Sequence, residues 1–269
     1  MSSRHNKVEI RTLLESLRCT KHNLLDRPSF NVSFKDGCYH VRTADNRQMR
    51  FRRNPYLAFY QVTAGYLRDS AWPLTEGMSV IDAGACDGEF ALYSSRCVGS
   101  TGRVLALEPD PASFRCLCET FELNGGVPPN VELLPVGLWK HTGELAFSGG
   151  LHLASQLLQA ADDTTGYSGS LSIPVQSLPD LVSRYGLTRL DFVKMDIEGA
   201  EIEAIEGAGS VLSILKPRFA IASYHRRNGR PTAEKLEQLF RESGYESNTG
   251  FPEHMTTYAS PATQEATAG

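Results

Sequence analysis

Long apolar runs are missing from this chain: none approaches the roughly 20 residues a membrane span needs. The polar N-terminus lacks the apolar core of a secretory signal. The six cysteines (Cys19, Cys38, Cys86, Cys97, Cys116 and Cys118) form no CxxC pair and no Cys/His zinc spacing. A reduced, cytoplasmic protein is the reading these absences favour. No Gly-Lys-Ser/Thr occurs, which excludes a Walker-type phosphate loop. There is also little excess charge. A net of −4 argues against nucleic acid as the main partner. The charge is unevenly spread, since residues 1–53 hold 12 Lys/Arg against 5 Asp/Glu. A solvated basic face explains this most simply; a surface for an anionic substrate or for membrane headgroups is the sharper alternative.

What is present is a chain of 269 residues with ordinary hydrophobic content, enough for one large domain with an appended piece. Ile10, Leu13, Leu14 and Leu17 fall at helical spacing and predict an N-terminal amphipathic helix. Cys38–Arg42 and Gln48–Arg52 flank a turn and predict a hairpin. Pro55 to Trp72 reads as a helix with Leu57, Tyr60, Ala64 and Leu67 on one face. Residues 1–72 are thus expected to form a helical and hairpin cap.

From Met78 the rhythm becomes strand, turn, helix, repeated. Strands are predicted at 79–83, 103–107, 131–136, 190–195 and 219–223. Asp110-Pro111 opens one of the intervening helices as N-cap and first helical residue. Its buried face is read as Phe114, Leu117, Cys118 and Phe121. Ile202, Ile205, Leu212 and Leu215 are placed on a later helix, and Thr232 is read as the cap of the last one. A hairpin is expected around 246–259. This pattern implies an α/β fold with a doubly wound, mostly parallel sheet, whose ligand sits at the carboxyl ends of the strands. Residues 73–260 form this domain, and 261–269 read as a disordered tail. The glycine-rich stretch 148–172 interrupts the pattern and is expected to be a substrate-side flap.

Two segments carry the chemistry. The first is Asp82-Ala83-Gly84-Ala85-Cys86-Asp87-Gly88, with Glu108 ending the next strand. A dinucleotide turn wants a middle glycine and room for a pyrophosphate. Here the glycine is absent and Asp87 adds negative charge. An acid-flanked turn suits a ligand bringing an ammonium and a sulfonium, and S-adenosylmethionine is such a ligand. Asp82 or Asp87 would orient its aminoacyl end, Gly84 would allow close approach, and Glu108 would hold the ribose hydroxyls. The plainer role for both aspartates is capping the following helix.

The second segment is Lys194-Met195-Asp196-Ile197-Glu198-Gly199-Ala200-Glu201. Clustered carboxylates repel, so they usually face a cation, a hydroxyl or water. Asp196 and Glu198 would contact the sulfonium end of the cofactor or the substrate, or form a hard-metal site for an ion such as Mg²⁺. Glu201 reads as a helix-terminus acid. His225 follows the fifth strand on the ligand side and is the candidate general base, whereas Tyr224 alternates to the other face and reads as packing. His152 and His254 would line a substrate cleft, but no spacing supports either. Arg226, Arg227 and Arg230 read as a solvated loop, with anion binding as the alternative.

Together the two segments resemble the FkbM family of S-adenosylmethionine-dependent methyltransferases. The family's D-x-G-A-N-x-G is matched by Asp82, Gly84, Ala85 and Gly88, with Cys86 in place of the usual Asn. Its E-P-[ND]-P corresponds to Glu108, Pro109, Asp110 and Pro111, and its K-x-D-x-E-G-x-E to Lys194, Asp196, Glu198, Gly199 and Glu201. Leu123-Asn124-Gly125 echoes a third motif with shortened spacing, and Leu178-Pro179-Asp180 departs from a Leu-Asp. The resemblance covers about residues 78–225. It implies a Rossmann-like class I methyltransferase, with Asp82, Gly84, Ala85, Asp87, Gly88, Glu108, Pro109 and Asp196 around the cofactor. The expected reaction is O-methylation of a hydroxyl on a small molecule or glycan, with His225, Asp196 and Glu198 catalytic. A nicotinamide-dependent oxidoreductase and a catalytically silent cofactor-binding partner are the alternatives. The sequence names neither the acceptor nor the oligomeric state.

Overall fold

The computed structural model of the chain describes residues 2–25, 29–68, 71–148, 156–157 and 170–262. A long helix, α1 (Ser2–Leu25), leads into three antiparallel strands, β1 (Phe30–Lys35), β2 (Cys38–Thr43) and β3 (Gln48–Phe51). The hairpin expected from sequence is β2–β3; β1 was not foreseen. Asn23 clamps α1 to β1, accepting from the Val32 N–H at 3.0 Å and donating to its carbonyl at 2.8 Å. Leu13, Leu14, Leu17 and Leu24 of α1 remain exposed, so most of its apolar row faces solvent.

The predicted 55–72 helix is shorter and changes pitch. It runs as α2 (Tyr56–Tyr60) and continues as a π-turn over Gln61–Tyr66. The wider turn rotates the side chains that follow it. Phe59, Val62, Tyr66 and Leu67 are buried, while Leu57, placed on one face with Leu67 from sequence, is exposed.

Next come β4 (Ser79–Ala83), α3 (Glu89–Val98), β5 (Arg103–Leu107), α4 (Pro111–Leu123) and β6 (Val131–Leu134). Asp110 caps α4 as expected, accepting from the N–H groups of Ala112 and Ser113 at 2.9 Å. The face α4 buries is centred on Ser113, Leu117, Thr120 and Phe121. The chain then builds a second sheet from β7 (Gly137–Leu138), β8 (Gly143–Ser148), β9 (Gln156–Leu157) and β10 (Ser170–Gln176). These strands take up both ends of the stretch read as a flap; 149–155 and 158–169, including His152, lie outside the described residues.

After α5 (Leu178–Arg184) and β11 (Phe192–Met195), the predicted single helix is two, α6 (Glu201–Glu206) and α7 (Gly209–Ile214). A break at Gly207 is enforced by packing, since a Cβ there would sit 2.3 Å from the Lys140 carbonyl oxygen. The chain ends with β12 (Arg218–Ala222), the short pair β13 (Arg226–Arg227) and β14 (Arg230–Pro231), α8 (Ala233–Glu242), and the hairpin β15 (Tyr245–Gly250) and β16 (Thr256–Pro261). Thr232 precedes α8, but its hydroxyl makes no capping bond. Of the predicted tail, 263–269 lie outside the described residues.

The central sheet has the order β15-β16-β12-β11-β4-β5-β6. The five strands from β12 to β6 are parallel, and the terminal hairpin adds two antiparallel strands at one edge. The strands read as continuous apolar runs because both faces are covered. Ile81, Leu105, Val193 and Ile221 point into one core with α5, α7 and the second sheet. Val80, Val104, Phe192 and Ala220 point into the other, which holds α3 and α4 together with Phe30, Met49, Phe51 and Phe59 of the N-terminal region. The chain leaves β4 towards β5 on one side and returns through β11 on the other. That reversal opens a crevice at the carboxyl ends of β4 and β11.

Candidate active site

The register of the sheet sets the first contact. Asp82 on β4 and Lys194 on β11 are direct partners across a parallel pair, so their side chains share a face. Ala106 and Ala220 flank them on the neighbouring strands. Both side chains are buried, and Lys194 Nζ lies 2.9 Å from Asp82 Oδ1. Burial alone would lower the pKa of the lysine, but the Asp82 and Asp196 carboxylates outweigh it and hold that pKa above the usual value. The same ammonium donates to the Gly84 carbonyl at 2.7 Å. It therefore clasps the glycine turn to the end of β11. Gly84 has φ +76°, and a Cβ there would lie 1.9 Å from the Asp196 carbonyl oxygen. Only glycine permits the two strand ends to pass this closely.

A cleft of about 560 Å³ opens above this clasp. Gly84, Ala85, Cys86, Asp87, Glu108 and Pro109 line one end of it. Asp82 and Gly88 do not. Asp82 is fully buried against Lys194, so the cofactor contact expected of it is replaced by an internal ion pair. Gly88 serves packing: a Cβ there would meet Leu117 at 2.8 Å, so the glycine lets α3 close on α4. Asp87 reaches the cleft, but Arg53 lies 3.1 Å away. Its charge is answered from the N-terminal region, so the missing middle glycine carries more of the case against a dinucleotide than the aspartate does.

Glu108 sits at the end of β5, accepting from the Cys86 N–H and the Asp110 N–H, each at 2.9 Å. Burial raises its pKa to about 7, against the pull of those two bonds. The bond from Cys86 explains the turn. Cys86 adopts φ +48°, a left-handed conformation that Asn tolerates and most side chains do not.

The opposite wall is built on Asp196. Tyr66, delivered by the π-turn, donates its hydroxyl to Asp196 Oδ2 at 2.9 Å. Tyr224 donates to Oδ1 at 3.4 Å. Burial, and then the neighbouring carboxylates, push both phenols well above their usual range, so they remain donors. His254 Nε2 lies 3.7 Å from Asp196 Oδ2, and burial lowers the pKa of this imidazole. Tyr66, Tyr224, Asp196, Glu198 and His254 all line the cleft. Tyr224 thus faces the ligand side, contrary to its expected packing role: the segment after β12 leaves the strand, so strand alternation no longer applies.

His225 is placed differently from the ligand-side base expected. Its side chain is 8% exposed and lies behind the cleft lining. Nδ1 lies 2.9 Å from Glu201 Oε1, and Nε2 faces Glu198 at 3.5 Å and Asp196 at 3.6 Å. Burial opposes its charge, but these carboxylates prevail and raise its pKa to about 10. A ring that already holds its proton cannot accept another at neutral pH, which removes the free-base role. Glu201, read as a helix-end acid, accepts from the Ile197 and Gly199 N–H groups at 3.2 and 3.1 Å, bracing the loop that carries Glu198. Arg227 braces the same loop from outside, donating to the Gly199 carbonyl at 2.7 Å and to Glu203 at 2.8 Å.

Two substitutions test this construction. Lys194→Met leaves a buried aspartate unpaired and is expected to cost about 3–5 kcal/mol in chemical denaturation, with part of the loss recovered by adding Asp82→Asn. An unchanged stability would contradict the clasp. Cys86→Asn relieves the left-handed position and is expected to raise stability by about 1 kcal/mol, seen as a higher thermal midpoint. A lower midpoint would show that the thiol matters more than the backbone.

The family model described as the methyltransferase FkbM domain matches residues 82–247. Methyltransferase sdnD of Sordaria araneosa is 26% identical over 194 residues, covering 62% of this chain and 73% of that protein. Hexuronic acid methyltransferase AglP of Haloferax volcanii is 28% identical over 130 residues, covering 48% of this chain and 50% of that protein. The 2-O-methyltransferase NoeI of Sinorhizobium fredii is 27% identical over 159 residues, covering 54% and 62%. Among solved structures, the FkbM methyltransferase of Methylobacillus flagellatus KT superposes with a TM-score of 0.53 at 20% identity, over 74% of this chain and 47% of that one. The chain thus spans about half the length of that structure and of AglP. The glycine turn after Asp82, Glu108 and the acidic motif from Lys194 to Glu201 all fall inside the matched region, and the chain belongs to the FkbM methyltransferase family.

Proposed function

We infer that this protein transfers a methyl group from S-adenosylmethionine to a hydroxyl of a small molecule or glycan. The observation that carries this reading is the division of the cleft. Glu108 stands at the end of β5 on one wall, and Tyr66, Asp196, Tyr224 and His254 converge on the other. Glu108 Oε1 and Oε2 each accept one backbone bond and keep a lone pair for the ribose hydroxyls. The turn over Gly84 to Cys86 leaves backbone next to the cofactor without a bulky side chain at its closest point. Family membership favours methyl transfer over the nicotinamide alternative.

The chemistry needs alignment and a proton acceptor. S-adenosylmethionine held between Glu108 and Asp196 would supply an electrophilic methyl, its carbon–sulfur bond breaking to a neutral thioether as the acceptor oxygen bonds the carbon. The hydroxyl proton goes to His254 Nε2, which is turned into the cleft beside Asp196. Asp196 then stabilises the imidazolium, while Tyr66 and Tyr224 hold its carboxylate in place. A sugar hydroxyl is the acceptor class favoured here, because two of the related proteins are named for hexuronic acid methylation and 2-O-methylation.

The test combines a labelled methyl donor with sugar and uronic-acid acceptors, followed by identification of an O-methyl ether. His254→Ala is expected to lower kcat by about 100-fold or more while cofactor affinity stays within about threefold. Full turnover in this variant would remove His254 from the proton-accepting role. N- or C-methyl products would overturn the O-methyl assignment.

A further inference from the structure

We propose that Asp196, Glu198 and His225 bind a divalent cation at the floor of the cleft, where it chelates an acceptor through two adjacent oxygens. The inference rests on the proposed hydroxyl acceptor but adds a component that reading does not require.

The donor atoms of the three residues all lie within 4.8 Å of one another. His225 Nε2 is 3.5 Å from Glu198 Oε2 and 3.6 Å from Asp196 Oδ1. A small hard cation with bonds of about 2.1 Å separates neighbouring octahedral ligands by about 3.0 Å and opposite ones by about 4.2 Å. The gap between the three donors is therefore one cation wide. A carboxylate pair alone would say little. The second observation is the histidine: its side chain is more than nine-tenths buried, and Nε2 stands between the two carboxylates without a well-aligned hydrogen bond to either.

The surroundings orient these donors as metal ligands usually are. Glu201 stands 2.9 Å from His225 Nδ1, which fixes the ring with Nε2 turned inward. Glu201 is fully buried and is itself fixed by the Ile197 and Gly199 N–H groups. Glu198 adopts a left-handed φ of +58°, a conformation costly for a non-glycine residue and one that the braced loop enforces. The Arg227 guanidinium bonds Gly199 and Glu203 rather than the two cleft carboxylates.

The accessible side of the site faces the substrate. Asp196 and Glu198 line the cleft, whereas His225 lies behind them. Three protein ligands leave up to three octahedral positions open towards the acceptor. Two carboxylates and an imidazole that releases its Nε2 proton to solvent as the cation binds give a donor set suited to Mn²⁺ or Mg²⁺, with the nitrogen favouring the former. A vicinal diol or an α-hydroxy acid would fill two of the open positions. Selection would then fall on the pair of oxygens rather than on the rest of the acceptor.

The experiment uses the full chain, stripped of metal with a chelator and dialysed. Mn²⁺ is titrated in while the free ion is followed by electron paramagnetic resonance. One Mn²⁺ per chain is expected. Its Kd should rise at least tenfold in Glu198→Gln and in His225→Gln, and tenfold or more in Glu201→Gln, each checked for fold by circular dichroism. Should a variant fail to fold, Co²⁺ absorption of the wild-type protein gives the same answer without substitution. Absence of saturable Mn²⁺ and Co²⁺ binding overturns the proposal, as does equal affinity in folded variants; either result leaves a protonated His225 as the bridge between the carboxylates. Calorimetry with S-adenosylmethionine in EDTA separates the two readings. Cofactor binding without any cation site defeats this inference alone, whereas loss of cofactor binding in metal-free and metal-loaded protein defeats the methyl-transfer reading itself.

Discussion

The site depends on the ion pair between Asp82 and Lys194. It lies where β4 and β11 run side by side, directly below the crevice. An isolated charge in that position would be intolerable, so each residue requires the other. The lysine also bonds the Gly84 carbonyl, which ties the glycine turn to the strand that ends in Asp196. Two motifs more than a hundred residues apart in sequence thereby become the two halves of one cleft. The pair explains why an acid precedes the first glycine and a lysine precedes the acidic motif. Neither residue needs to touch a ligand to be indispensable.

The cleft is completed by residues that belong to neither motif. Arg53 pairs with Asp87, and Tyr66 crosses over the Lys194 ammonium to reach Asp196. Both come from the N-terminal region, which shares a hydrophobic core with α3 and α4. The π-turn at 61–66 is held by Tyr258, whose hydroxyl donates to the Gly65 carbonyl at 2.7 Å. The terminal hairpin thus fixes the turn that aims Tyr66, and the same hairpin presents His254. Tyr66 of the N-terminal region and His254 of the terminal hairpin meet at Asp196, on the same wall of the cleft.

Much of this was legible in the sequence, for a physical reason. Strands buried on both faces write themselves as apolar runs, and Asp110-Pro111 announces a helix start in the residues themselves. Glu108, Asp196 and Glu198 stood out because carboxylates at strand ends have few structural uses. Three features were not legible. The π-turn at 61–66 breaks the helical period, so Leu57 and Leu67, put on one face by sequence, end up one exposed and one buried. The strands around 137–176 are separated by a polar, glycine-rich stretch and carry no helix between them, so the strand–helix rhythm does not announce them. His254 and Tyr224 reach the cleft through turns, where neither the strand nor the helix period applies. His225 was found for its position, but only the fold reveals three carboxylates around it. Asp82 was the subtlest case: its identity pointed to the cofactor, whereas its register assigns it to Lys194.

The most direct measurement is isothermal titration of the purified, folded chain with S-adenosylmethionine and, separately, with NADH. The account predicts saturable binding of one S-adenosylmethionine per chain, weakened by Glu108→Ala, and no heat from NADH. Saturable NADH binding, or no S-adenosylmethionine binding at high micromolar concentration, would contradict it.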